Sequence, residues 1–334
     1  MRLILVLVLS LLATGAALAE PSVHWRKAEE TAATREISRL VKDHAARLRP
    51  AAVMVVQGDQ VIASWGAVDR KINVASVRKS LLSALYGIAV AEGRIRLAST
   101  LADMGIDDKA PRLTAAEKQA TVRDLLMARS GIYHPAAYET RDIKTKRPAR
   151  GSHLPGTYWF YNNWDFNALG TIYRKATGED IFASFDRRIA RPIGMEDFAA
   201  RDGRYVLEAA SEHPAYPFKL TARDAARFGL LFANDGRWNG RQIVPQTWVG
   251  ESIRPHSRTH RGNRGYGYMW WELSSLPWAA GGAYAAGFGG QVVAFLPSKK
   301  LVLVQTVDLG SKPEGIRTSA VIELMKKVVE ALPE

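Results

Sequence analysis

The chain has 334 residues, 47% of them hydrophobic, a formal net charge of +13 and no cysteine. That length suffices for a large core in one large or two ordinary domains, and the missing cysteine excludes disulfides, thiolate catalysis and Cys-ligated metals. The basic residues are spread along the chain and densest over Arg141–Arg150 and Arg254–Arg264. With no RNA- or DNA-binding motif beside them, they predict a basic surface meeting a cell envelope, not nucleic acid.

In chain order, Arg2, the apolar run Leu3 to Leu12 and the small-x-small Ala17-Leu18-Ala19 read as a cleavable signal peptide over residues 1–19. The run is too short to span a bilayer comfortably, so a periplasmic or secreted product is expected. Residues 28–48 carry a helical apolar pattern. Ala51 to Gln57 and Gln60 to Trp65, split by Gly58-Asp59, read as a β-hairpin. A helix follows Ser76 and ends near Glu92-Gly93.

Residues 94–225 read as mainly helical and loop-rich. Thr121 to Asp124 opens one helix and Thr221 to Asp224 another, which runs through Phe232. Asn167 to Ala176 and Phe182 to Ile189 are two more. Residues 132–160, rich in His, Pro, Gly, Arg and Tyr, read as a long ordered loop, which in a compact domain is usually functional. Strand character returns at Gly267 to Glu272, Gln291 to Phe295 and Leu301 to Val307, and residues 313–331 close the chain as an amphipathic helix. The expectation is an α+β domain over 20–334. Its two β-rich ends (20–75 and 226–334) form one antiparallel sheet flanked by helices, and a mainly helical part (76–225) is inserted between them. A cleft between the parts is the natural site.

Ser76-Val77-Arg78-Lys79 precedes an apolar helical run. Positions i and i+3 share a helix face, so the Ser76 hydroxyl and Lys79 amine lie side by side at a helix N-terminus, where backbone N–H groups face a developing anion. Taken alone, the tetrapeptide is equally a serine cap followed by a surface lysine. Two further elements follow in order: Tyr161-Asn162-Asn163, within the aromatic run from Tyr158, and Gly287-Phe288-Gly289-Gly290-Gln291, leading into a strand.

In this order the three elements resemble the serine β-lactamase and penicillin-binding-protein superfamily, and most of all its class C β-lactamase branch with the related esterases, D-aminopeptidases and 6-aminohexanoate-dimer hydrolases. The resemblance runs over nearly all of residues 30–330. It implies a β-lactamase-like fold and a serine hydrolase cleaving a small ester or amide without a cofactor. Ser76 would be acylated, Lys79 and Tyr161 would form the acid/base pair with both pKa values lowered, and Asn163 would bond the substrate amide or Lys79. The oxyanion would sit between the backbone N–H groups of Ser76 and Gln291, with Gly289 and Gly290 allowing close approach.

Phe288 departs from the pattern, because a basic residue near this place usually meets a substrate carboxylate in that superfamily. An ester or a less charged amide is therefore favoured over β-lactams and D-Ala-D-Ala peptides, unless Arg129, Arg258, Arg261 or Arg264 supplies the charge. β-Lactamase or D,D-carboxypeptidase action is one alternative and a non-catalytic envelope binding protein on the same fold is another. His134, His153 and His213 read as solvated loop residues, with His134 the one placed to touch substrate. Trp159, Trp164, Trp270 and Trp271 read as core. No metal motif is present.

Overall fold

The computed structural model describes residues 25–261, 264–273 and 275–333; the expected signal peptide lies outside them. A nine-stranded sheet runs in the order β1 (Arg26–Lys27), β3 (Gln60–Gly66), β2 (Ala52–Gln57), β13 (Leu301–Thr306), β12 (Gln291–Leu296), β11 (Ala283–Gly287), β10 (Trp271–Glu272), β9 (Gly265–Tyr266), β8 (Ser257–Arg258). The N- and C-terminal segments therefore share one sheet, as the two β-rich ends predict. Its pairs are antiparallel except for the edge pair β1–β3, which is parallel. Two short two-stranded sheets stand apart: β4 (Ile72–Asn73) with β5 (Lys219–Leu220), and β6 (Arg237–Trp238) with β7 (Arg241–Gln242).

Every residue of β12 and β13 is buried, which requires cover on both faces. Gly229 of α7 (Ala222–Ala233) packs on Val293 and Val302. From the opposite face Gln305 reaches His44 of α1 (Ala32–Leu48), which lies against α9 (Thr318–Ala331). Because α7 begins at Ala222 and packs on the sheet, the sheet-bearing part resumes slightly before residue 226.

The other layer holds α2 (Val77–Ala91), α3 (Val122–Leu126), α4 (Arg141–Lys146), α5 (Asn163–Thr177), α6 (Ile181–Phe185) and α8 (Gln246–Ile253). α2 is buried nearly all round, its polar Arg78, Lys79, Ser80 and Ser83 included. Its small polar residues bond outward: Ser80 Oγ donates to the Met269 carbonyl (2.7 Å) and Ser83 Oγ to that of Tyr268 (2.8 Å). α2 thus forms the seam between the helical part and the sheet.

Three expectations need correction. The strand over Gly267 to Glu272 is broken, because Met269 turns at φ 63 and a Cβ on Gly267 would lie 2.1 Å from the Ser252 carbonyl oxygen. β11 lies in a stretch that carries no strand signal. Inside the long loop, residues 141–146 form α4, capped by the Thr140 side chain. Among the described residues no helix is long and apolar enough to cross a membrane.

Candidate active site

The turn before α2 determines where Ser76 stands. Asn73 Oδ1 accepts from the Ala75 amide (3.0 Å), and Ala75 adopts φ 48. That left-handed backbone costs about 1 kcal/mol or more for a residue with a Cβ. Ser76 then opens α2, yet its side chain makes no capping bond. Its Oγ instead accepts from Lys79 Nζ at 2.9 Å. Lys79 is 1% exposed, so neither the capping serine nor the surface lysine describes this pair.

Lys79 Nζ also donates to Tyr161 OH (2.8 Å) and to Asn163 Oδ1 (2.9 Å). Asn163 is the first residue of α5, whose N-terminus is capped by Asn162 through the Trp164 amide. The helix therefore begins four residues before the expected Asn167. Asn163 Nδ2 donates to the Tyr138 carbonyl (2.7 Å), which fixes the amide orientation and gives its oxygen to Lys79 rather than to a substrate. Tyr161 is buried, with its ring stacked on Trp271.

The two titratable partners shift in opposite directions. Burial holds the Lys79 ammonium well below the usual lysine range, helped by the nearby Arg78 and Arg261 charges. Burial raises the Tyr161 phenol, against the lowering effect of its Ser76 hydrogen bond and of the same two arginines. The expectation that both are lowered thus fails for Tyr161. Desolvation penalises whichever form is charged, so burial works against the ammonium of Lys79 and against the phenolate of Tyr161 alike.

The third element is the β11–β12 hairpin. A Cβ on Gly287 would lie 2.3 Å from the Val74 carbonyl oxygen and 3.1 Å from Ala75 Cβ, so the end of β11 runs against the Ser76 turn. Gly290 lines the cavity, but Gln291 does not. It pairs with Gly287 in the sheet, and its side chain clamps the Val307 carbonyl (2.7 Å) and amide (2.9 Å). Gln291 is therefore a brace for the turn, and the backbone at the end of β11 is what abuts Ser76. Ser76 and Phe288 both line the cavity.

These groups open on a cavity of about 1190 Å³ lined by Ser76, Tyr161, Asn163, Tyr138, Trp271, Tyr284, Phe288 and charged residues including Arg261. Phe288 is 60% exposed at this cavity. Of the four arginines considered, Arg261 lines the space, its guanidinium 5.2 Å from the Tyr161 ring centre and 3.0 Å from Asp142. Arg129 turns away to the carbonyls of Gly156 and His256.

None of the three loop histidines lines the cavity. His134 and His213 are buried around Trp164, and His153 stacks on Tyr158. Of the four tryptophans, Trp271 forms cavity wall. Tyr138 was not singled out from the sequence; its carbonyl orients Asn163, and its hydroxyl accepts from Asn73 Nδ2 at 2.7 Å. Its location in the long ordered loop was the one available signal. Among the described residues no group of His, Asp or Glu is placed to hold a metal ion.

The family model described as Beta-lactamase matches residues 37–321. No curated protein matches the chain. Among solved structures, a class C β-lactamase superposes with a TM-score of 0.67 at 15% identity, covering 93% of this chain and 99% of its own. A penicillin-binding-protein homologue from Caulobacter crescentus gives 0.69 at 15% identity, covering 92% and 99%. A Bacillus anthracis protein provisionally named a 6-aminohexanoate-dimer hydrolase gives 0.64 at 22% identity, covering 88% and 83%. At these identities the likeness is one of fold.

Proposed function

Given that the chain belongs to the Beta-lactamase family, whose model spans residues 37–321, we propose that it hydrolyses an ester or amide through an acyl-enzyme on Ser76. Membership supports a serine hydrolase in general terms, and the substrate class and residue roles are our reading. The observation that carries it is the buried Lys79 amine bonded at once to Ser76 Oγ, Tyr161 OH and Asn163 Oδ1.

In acylation Lys79 Nζ takes the Ser76 proton as Oγ attacks the substrate carbonyl. The oxygen becomes an anion, held by the N–H groups of Ser76 and Phe288. The Tyr161 hydroxyl gives its proton to the leaving oxygen or nitrogen as that bond breaks, and the proton on Lys79 returns to the phenolate across their 2.8 Å hydrogen bond. Water then attacks the acyl carbonyl, gives its proton to the same pair, and Ser76 leaves as a hydroxyl. No histidine takes part.

A second reading, action on β-lactams or D-Ala-D-Ala peptides, is favoured by one observation: Arg261 brings a cation to the cavity wall although Phe288 cannot. The engagement of Arg261 with Asp142 weakens it as a free carboxylate receptor, so the neutral ester or amide is preferred. Export, and envelope contact through the basic surface, belong to the same proposal and rest on the leader-like residues 1–19 and the net charge of +13.

The test is a fluorophosphonate probe followed by peptide mass analysis. The expected result is one adduct on Ser76, lost in Ser76→Ala. A folded protein that takes no adduct at any pH between 5 and 10 would remove the catalytic reading in favour of a binding protein. A chromogenic cephalosporin, a D-Ala-D-Ala peptide and a series of neutral esters separate the two substrate readings.

A further inference from the structure

Arg78, the residue before Lys79, is a buried cation. It is 1% exposed, and its single hydrogen bond, from Nη2 to Asn167 Oδ1 at 3.2 Å, goes to a neutral amide. Its Nε and Nη1 are buried without a partner, and its guanidinium rests 4.4 Å from the centre of the Tyr216 ring. Among the described residues no carboxylate pairs with it. A guanidinium keeps its charge inside proteins, and a buried charge without a counter-ion is costly. A methionine of similar length would fill the same space without that cost.

The two side chains are anchored to one face of one helix. Lys79 bonds Asn163 and Arg78 bonds Asn167, residues one turn apart on α5, a spacing of about 6 Å. Lys79 Nζ also sits 4.4 Å from the ring centre of Phe166, the neighbour of Asn167. Both side chains are buried, with the Tyr216 ring against Arg78 and the Tyr161 and Phe166 rings against Lys79, and charge effects between buried groups are weakly screened.

We propose that Arg78 is a positioning residue for the acyl-transfer site, its uncompensated charge keeping Lys79 in the neutral amine form that can accept the Ser76 proton. This rests on the reading of Lys79 as proton acceptor. The other groups facing Lys79 do not cancel the effect. Tyr161, and Tyr266 behind it, are phenols raised by burial, as is Tyr216 under Arg78. Asp165 of α5 is buried, its carboxyl is raised well above the usual carboxylate range chiefly by burial, and its Oδ1 is held by Ser130 and Asn162 rather than by Lys79 or Arg78. Arg261 lies across the Tyr161 ring and acts in the same direction, but it is half exposed and paired with Asp142. Repulsion from Arg78 is the largest charge effect on Lys79 after burial itself.

The experiment compares wild type with Arg78→Met and Asn167→Asp. The latter keeps the guanidinium but gives it a carboxylate. Lys79 is titrated directly by NMR in lysine-labelled protein, its signal assigned with Lys79→Arg, and fluorophosphonate inactivation is followed against pH. Both variants should move the Lys79 midpoint and the acid limb of inactivation upward by about one pH unit, a roughly tenfold loss of rate at neutral pH that is recovered at high pH. An unmoved midpoint, or a loss uniform across all pH, would overturn the proposal and leave Arg78 as packing. If Arg78→Met does not fold, Asn167→Asp decides by the same criterion. A wild type that never reacts refutes the acyl-enzyme reading instead, and the NMR midpoints still judge Arg78.

Discussion

Lys79 shows at the scale of one residue why Ser-x-x-Lys is ambiguous as a string and specific as a structure. In the sequence the lysine is equally a solvated helix residue. In the fold its nitrogen has three acceptors and no carboxylate among them. Three donated bonds use all three protons of an ammonium; on loss of one proton the amine donates to two of these partners and turns its lone pair to the Ser76 hydroxyl. This has a stability consequence that separates it from a structural ion pair. Removing one partner of a buried ion pair typically costs 3–5 kcal/mol. Lys79→Met instead exchanges a few neutral hydrogen bonds, worth about 1 kcal/mol each, for a well-packed apolar chain. We therefore expect Lys79→Met to stay within about 2 kcal/mol of wild type in urea denaturation while Ser76 labelling falls by about a thousandfold or more. A loss of stability as large as that of a broken ion pair would mean that the lysine is a charged structural element.

At the scale of elements, side-chain chemistry was legible in the sequence and backbone chemistry was not. Ser76, Lys79, Tyr161 and Asn163 were named by residue type and order, and the structure brings all four together. Gln291 was named for its backbone N–H, whereas what the fold displays is its side chain bracing Val307; which N–H faces a nucleophile depends on strand register rather than on residue type. β11 was missed for a related reason. Its sequence, Ala-Tyr-Ala-Ala-Gly, is poor in the β-branched residues that mark strands, yet small residues are needed where α2 abuts it. Gly287 is the sharpest case, since a Cβ would overlap the Val74 carbonyl at 2.3 Å. Gly287→Val should therefore push the Ser76 turn off the strand. The expected result is about 1–3 kcal/mol of lost stability and at least a tenfold slower labelling of Ser76. Gly250→Ala, at an exposed position of α8 where a Cβ meets nothing within 4 Å, is the control and should stabilise slightly. Labelling at the wild-type rate in Gly287→Val would show that the β11 backbone does not shape the site.

Over the whole molecule, burial sets how stability depends on pH. The sequence suggested solvated loop histidines, but His134 and His213 are buried with Trp164 between them, because the helical part closes over its own loops. His44, His134, His213 and His256 are all held below the ordinary histidine range, chiefly by burial. The unfolded chain then binds protons near pH 6.5 that the folded chain does not accept until lower pH. Their contribution is present above that value and is lost as pH falls through the folded values. Asp165 and Asp224 act in the opposite sense. Burial raises both, so their contribution is present below the unfolded carboxylate value and is lost as pH rises toward the folded ones. The histidines, with Lys79 held low in the same sense, are expected to outweigh the two acids, so stability should fall on acidification from pH 7 to 5, by about 1.4 kcal/mol per pH unit for each net proton. Urea denaturation at the two pH values measures it. His44→Gln isolates one contributor, because an amide can keep the 2.7 Å bond to Gln305 while removing the titration. That variant should lose less stability than wild type between pH 7 and 5, and an identical loss would show that His44 is protonated alike in the folded and unfolded chains.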